Sequence, residues 1–308
     1  MALDGSARAV VTALLANLGI ATAKFVAAGI TGSASMLAEG VHSVADSGNQ
    51  ILLLIGRKRA RRAPSPLHPF GHARERYVYA FLVAVVLFTV GGLYALYEGY
   101  RKITDSHPLT SPTIAMAVLL IAMALEGYAL RTVVREANRT RGSRGWFRFV
   151  RDARAPELPV ILLEDSAALV GLTIALFGVG LTGLTGNGVF DGAATLCIGI
   201  LLAAIAALLA REITSLLVGE AATPEQINEI HAALLSTPGV DQVVHLRTLH
   251  LGPDELLVAG KIGVSPDFDG RDIAATIDDA EARVRRALPS ARMIYLQPDI
   301  HRTEPAAL

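Results

Sequence analysis

Six stretches of this chain, at about 8–30, 35–56, 77–100, 110–134, 158–181 and 188–210, are apolar over lengths approaching or exceeding the ~20 residues that a helix needs to cross a bilayer. Within hydrocarbon no water is available to the backbone, so a segment of this kind satisfies its N–H and C=O groups internally, as a helix. Six such stretches in one chain predict a helical membrane bundle. Composition agrees: charged residues are 18% and hydrophobic residues 52% of the 308, where a soluble domain carries roughly 25% charge. Glycine, serine and proline punctuate the gaps, as in GITGSAS, TDSHPLTSP and TGLTGNG. The first run, from about Val10 to Ile30, is too long for the core of a cleavable leader and no clear cleavage pattern follows it.

Positive charge is unevenly distributed over the gaps. Arg57, Lys58, Arg59, Arg61, Arg62, Arg74 and Arg76 crowd the gap after the second stretch, and Arg139, Arg141, Arg144, Arg148, Arg151 and Arg154 the one after the fourth. The other gaps hold essentially Arg101 and Lys102. Basic loops stay on the cytoplasmic side, so both basic gaps, the N-terminus and the C-terminal tail are expected in the cytoplasm. Flanking membrane spans, these runs are topology signals rather than a nucleic-acid interface, and no nucleic-acid motif accompanies them. An alanine- and arginine-rich chain without a targeting presequence fits a bacterial inner membrane. The single cysteine, Cys197, excludes an internal disulfide and a cysteine-rich metal cluster.

From about 213 to 308 the character changes to that of a water-soluble α/β domain, following a membrane domain over 1–212. Thr223-Pro224-Glu225-Gln226 has an N-cap, a proline at the first helical position and a capping-box glutamine. DQVVHLRTLHL and ELLVAGKIGV alternate as two strands around a Gly252-Pro253-Asp254 turn. Asp269 caps a helix over about 271–287, and ARMIYLQ makes a third strand. The order α-β-β-α-β predicts a small open sheet covered by two helices.

Ionisable residues inside the spans are costly and mark ion or proton pathways. In SMLAEGVHSVADSGNQ, His42 and Asp46 stand one helical turn apart and point the same way, with Glu39 near the same stripe. An imidazole and a carboxylate on one buried face make half of a tetrahedral site for a zinc-like ion, or a polar pair between two helices. Glu164 and Asp165 lie a few turns into the fifth stretch. Adjacent buried carboxylates without a cationic partner bind a cation or hold protons; their alternative is a structural pair facing a neighbouring helix. Lys24 serves either as a counter-charge or as a snorkelling side chain, and Glu126 either as a packing contact or as part of a pathway. Glycines at 171, 178, 180, 188, 192 and 199 suit close packing or sliding of the fifth and sixth helices.

The runs GSASMLAEGVHSVADSGNQ, HPFGHARERY, LLEDSAALVGL and FDGAATLCIGILL, followed by LHLGPDELLV, together resemble the cation diffusion facilitator family over nearly the whole chain. The resemblance implies a homodimer of six-helix protomers, each with a cytoplasmic metallochaperone-like domain, that exchanges a divalent transition metal, most often zinc, for protons. It also implies a transport site between the second and fifth helices, with a pair of ligands four residues apart on each. His42 and Asp46 match the first pair, and Asp165 matches the downstream carboxylate of the second. The upstream position holds Ile161, a departure from the family pattern. Glu164 lies about 100° round the helix from Asp165 and fills the gap only if the helix rotates or unwinds; Glu39 or water completes the shell otherwise. Such a carboxylate-rich set tolerates manganese or iron better than two histidines would, and cobalt and cadmium are further candidates beside zinc. His68 and His72 resemble the family's loop metal site, without the acidic residue some relatives carry just before it. In the tail, His245 and His250 have opposite parity on one strand and cannot share a face, while Lys261 and Leu296 stand near places where relatives offer histidine. Scattered surface histidines are therefore expected there.

The leading reading is a proton-coupled exporter of divalent metal, with no prosthetic group and no enzymatic activity. A membrane-anchored metal sensor leaves the aligned buried ligands without a purpose. An intramembrane aspartyl protease built on Asp46 and Asp165 lacks any Gly-x-Gly-Asp and leaves His42 unexplained. On a Cys197→Ala background, a cysteine placed at Ser143 should be labelled by a membrane-impermeant maleimide from the cytoplasmic side. Labelling only from the opposite side would overturn the topology.

Overall fold

The computed structural model describes residues 5–143, 145–151 and 153–300, without the side chains of 5–16 and Thr140. Arg144 of the second arginine group and the chain ends expected in the cytoplasm, 1–4 and 301–308, lie outside the described residues.

Each apolar stretch is a helix. They are α1 (Gly5–Thr31), α2 (Ala34–Ala60), α3 (Glu75–Thr104), α4 (Pro112–Arg141), α5 (Glu157–Thr185) and α6 (Val189–Val218). A short helix, Trp146–Arg151, interrupts the connection between α4 and α5. Among the described residues, α3 to α6 are long and apolar enough by composition to cross a membrane. Their outward side chains, such as Phe177, Ile200 and Ile121, are apolar and exposed, as a lipid-facing surface requires. α2 is not among them, because Glu39, His42, Asp46 and Asn49 dilute its apolar face. α4 packs against both α1 and α5.

Two features position α2. Gly32, at φ +69°, makes the left-handed turn out of α1 that an L side chain resists. Ser33 then acts as an N-cap, its hydroxyl accepting from the Met36 N–H at 3.2 Å. Asp191, in the first turn of α6 and fully buried, reaches across to the same helix start. Its carboxylate accepts from the Ala34 N–H at 2.6 Å, the Ser35 N–H at 3.3 Å, the Ser33 hydroxyl at 2.9 Å and the Ser35 hydroxyl. An anion at a helix N-terminus also meets the positive end of the helix dipole.

α3 and α6 touch backbone to backbone. A Cβ at Gly99 would come within 2.6 Å of the Leu196 N, and one at Gly199 within 2.7 Å of the Leu96 N. The α6 glycines at 192 and 199 therefore serve the contact with α3; on α5, Gly178 faces Ala194 of α6 and a Cβ at Gly171 would lie 3.9 Å from Ile198. Midway along, Leu87–Leu93 of α3 is a π-helical turn, a local feature frequent at functional sites.

The chain divides into two compact units: one holds the long helices up to Thr214, the other the chain from Ser215 together with Ala60–Arg76. In the second unit, α7 (Pro224–Leu235) and α8 (Gly270–Ala287) both start in capping boxes, on Thr223 with Gln226 and on Asp269 with Asp272. β1 (Val240–Gly252) pairs antiparallel with β2 (Glu255–Val264), which pairs parallel with β3 (Ala291–Ile300), in the order β1-β2-β3. The α-β-β-α-β expectation is met. Leu256, Val258, Ile262 and Val264 of β2 bury one face against Ile230 and Leu234 of α7 and Ala280 and Val284 of α8. The segment 60–76, which carries HPFGH, belongs to this unit rather than to the helices it joins. Arg76 bridges Asp254 at 2.7 Å, and Ala73 lies against Gly252.

Asp191→Ala leaves buried donors without an acceptor, and each such group costs about 1–3 kcal/mol. A loss of at least ~3 kcal/mol of stability is expected, measured by denaturant titration in mixed micelles. An unchanged midpoint would show that Asp191 does not hold α2.

Candidate metal centre

α2 brings its polar residues inward by helical repeat. Glu39, His42, Ser43, Asp46, Asn49 and Gln50 recur at three and four residues, and the helix packs this stripe against α1, α4 and α5. A cavity with about 10 Å³ of free volume is lined by Asp46 and Ser43 of α2, Glu126 of α4, and Ile161, Glu164 and Asp165 of α5, with Asn17 and Gln50 at its edge. That is room for a single water-sized sphere. Four carboxyl groups face it, and among the described residues no lysine or arginine lines it. Buried carboxyls so placed hold protons or a cation, because isolated charge in low dielectric is too costly.

Of the sequence-derived candidates, the structure brings Asp46, Glu164 and Asp165 to this cavity. His42 stands beside it. Its Nδ1 lies 3.4 Å from Asp46 Oδ1, outside hydrogen-bonding geometry, and a Cβ on Gly91 in the π turn of α3 would be 3.8 Å from that nitrogen. His42 is 1% exposed, and among the described residues neither of its ring nitrogens has a hydrogen-bond partner; nor has Asp46 Oδ1. Leaving such buried polar atoms unmatched costs about 1–3 kcal/mol each. The ligand set is not closed around one point: among the described residues no three His, Cys, Asp or Glu side chains converge on a common ion position. Side-chain rotation toward the cavity is needed to assemble it.

Glu164 reaches α2 without the rotation or unwinding that its angular offset suggested. α5 is regular α-helix throughout, and Glu164 is the more buried of the two acids. Asn49 Nδ2 donates to its Oε1 at 2.5 Å. The cavity is broad enough round α5 for adjacent side chains to border it. Ile161 also lines it, so an apolar side chain occupies the face where the second ligand of α5 was expected.

Lys24 is a counter-charge and does not snorkel. It is fully buried, donating to Glu39 Oε2 at 3.2 Å and to the Ser43 hydroxyl at 2.7 Å. Glu39 is thereby engaged by α1, with its Oε1 pressed to the space left by Gly171, where a Cβ would be 2.6 Å away. Asn49, Asn17, Gln50 and Glu126 join the site beyond the expected ligands. The signal for Asn49 and Gln50 was in the sequence: they continue the His42–Asp46 stripe by another turn.

In the other unit, the His68 and His72 rings meet at a tilt of 42° with centroids 4.5 Å apart, and His72 Nδ1 lies 3.3 Å from Glu75 Oε1. An acid therefore accompanies this pair from downstream. The tail histidines are not both on the surface: His245 is exposed, but His250 is 1% exposed. His250 pairs directly with Leu256 and so shares the inner face of the sheet, whereas His245 pairs with Lys261, whose Nζ bridges Asp299 at 2.6 Å.

Residues 10–218 match the transmembrane domain of cation efflux proteins, and 222–300 match their cytoplasmic domain. The chain belongs to the cation efflux family. It is similar to the mouse protein named proton-coupled zinc antiporter SLC30A9, mitochondrial: 33% identical over 271 residues, covering 87% of this chain and 47% of that one. It is also similar to the Arabidopsis thaliana metal tolerance protein C4, 30% identical over 270 residues, 86% of this chain and 58% of that one. With the manganese efflux system protein MneP of Bacillus subtilis the identity is 25% over 277 residues, 88% and 89% of the two chains. The chain spans about half the length of the mouse relative. Cation efflux proteins are the family of transporters that the sequence motifs resembled, and this one is a multi-pass membrane protein.

Removing Lys24 alone should be costly, because it strands the buried Glu39 carboxylate. Breaking a buried pair costs about 3–5 kcal/mol. Lys24→Met should destabilise by that order, and Lys24→Met with Glu39→Gln should recover most of it in a double-mutant cycle read by micellar denaturation. Additive effects of the two changes would refute the coupling.

Proposed function

We propose that this cation efflux protein exports a divalent transition metal from the cytoplasm in exchange for protons. Asp46 and Asp165 serve as charged ligands, with His42 and Glu164 completing the set. The observation that carries the reading is the carboxylate-lined cavity between α2 and α5, beside a buried imidazole whose nitrogens find no hydrogen-bond partner among the described residues. Metal binding requires His42 neutral and the acids ionised, so protons and metal compete for the same groups. Loading from one side releases protons, and protons taken up on the other side displace the metal. The helices rock between the two states around a site near the midplane.

Zinc is the first candidate cargo, in keeping with the name of the mouse relative. A shell of three carboxylates and one imidazole also suits manganese, the metal in the name of the Bacillus relative. The domain 1–212 carries the pathway. The domain 213–308 is cytoplasmic, joins two protomers as a homodimer and tunes transport without containing the path. Both termini lie in the cytoplasm, and the host is a cell membrane.

Proteoliposome uptake under an imposed pH gradient, with zinc, manganese, iron, cobalt and cadmium compared, tests this. Asp46→Ala and Asp165→Ala should each reduce transport to background while the protein remains folded, since deleting a carboxylate that no lysine or arginine faces also removes its desolvation cost. His42→Asp keeps a ligand but hardens the shell, shifting preference from zinc toward manganese or cadmium. Glu164→Gln should lower metal affinity by about 10–100-fold if Glu164 only orients a ligand, and should abolish binding if it is one. Normal transport by both alanine variants would sink the proposal.

A further inference from the structure

At the arginine-rich end of the bundle, α4, α5 and α6 converge beneath the short helix Trp146–Arg151. They leave an open groove of about 410 Å³. Its walls are apolar: Leu130 and Val134 from α4, Leu163 from α5, Leu208 from α6 and Val150 from the short helix. Ser166, Arg151 and Glu212 are its polar margin. The short helix reads WFRFVR, and Phe149 anchors it, 4% exposed, against Ala137 and Leu162. Trp146 and Phe147 remain 39% and 74% exposed. Arg141 lies over the Trp146 ring at 4.3 Å and Arg151 over Phe147 at 5.8 Å. Arg148, on the same short helix, is exposed.

Aromatic rings beside clustered arginines are the side-chain chemistry of the lipid headgroup level. A volume of this size with apolar walls fits a chain-like ligand, and Arg151 at the margin with the exposed Arg148 beside it outweighs the single Glu212, which favours a net-anionic headgroup over one whose phosphate is already balanced by its own cation. We propose that this groove holds an acyl chain of an anionic glycerophospholipid from the surrounding bilayer, with its phosphate met by Arg148 and Arg151. The bound lipid packs the short helix onto α4 and α5, the helix that carries Glu164 and Asp165. The inference rests on the membrane location of the bundle and is independent of which ion, if any, the protein moves.

The test uses the full chain in detergent micelles doped with equal amounts of phosphatidylglycerol and phosphatidylcholine, with retained lipid counted by native mass spectrometry. The unaltered protein should keep phosphatidylglycerol over phosphatidylcholine by on the order of tenfold, the discrimination that two arginines near a headgroup provide. Arg148→Gln with Arg151→Gln should retain lipid but bring the ratio near one. Ser166→Trp fills the groove and should lose both lipids. Phosphatidylglycerol carrying a diazirine on its acyl chain, applied to the unaltered protein, gives a readout that no variant's folding can compromise: adducts should fall on the peptides containing Leu130, Val134 and Leu163. Equal retention of the two lipids by the unaltered protein, or adducts confined to other helices, would overturn the proposal.

Discussion

One carboxylate, Asp191, decides where α2 stands, and the site stands with it. By closing the exposed amides at Ala34 and Ser35 from the first turn of α6, it fixes both the depth and the rotation of the helix it caps. A helix carrying several ionisable side chains is otherwise a poor tenant of hydrocarbon. Held at its start, α2 has a single rotational setting in which Glu39, His42, Asp46 and Asn49 all face neighbouring helices. The close approach of α3 to α6 at Gly99 and Gly199 fixes the opposite wall, and the π turn of α3 faces His42.

Within that frame, charge is sorted between two places a turn or so apart on α2. Lys24 and Glu39 form a closed, neutral pair at α1, further satisfied by Ser43. Asp46, Glu126, Glu164 and Asp165 face a cavity with no lysine or arginine in its lining. A buried ion pair is inert as a binding site, because each partner already holds its counter-charge. The unpaired carboxyls are where a dication or protons lower the free energy most. This separation sets Glu39, near the ligand stripe in sequence, beside Lys24 rather than in the lining of the cavity.

The second unit obeys ordinary soluble-domain rules: two capping boxes, a central strand buried by two helices and a tight hairpin at Pro253-Asp254. The two histidines of β1 are separated by strand parity, His245 outward and His250 inward. The loop 60–76 joins this unit through the Arg76–Asp254 pair and the contact of Ala73 with Gly252. His68 and His72 thereby belong to the second unit.

The number of long helices, the gaps between them, the α-β-β-α-β tail and its caps were legible in the sequence, because each depends on local periodicity and on caps within a few residues. So was the pairing of His42 with Asp46, a matter of one helical turn. What depended on neighbours across the bundle was not legible. Angular position alone turned Glu164 away from Asp165, but whether it reaches the cavity depends on where α2 and Asn49 stand. Lys24 had two open roles in the sequence, and only the distance to Glu39 chose between them. The glycines of α6 were visible, but not that α3 is the helix they admit. Asp191 appeared as one residue of a motif, and its role exists only through a helix start 157 residues away. Helical repeat is written in the chain. Which helices share a face is decided by packing, where buried polar groups find their partners across long sequence separations.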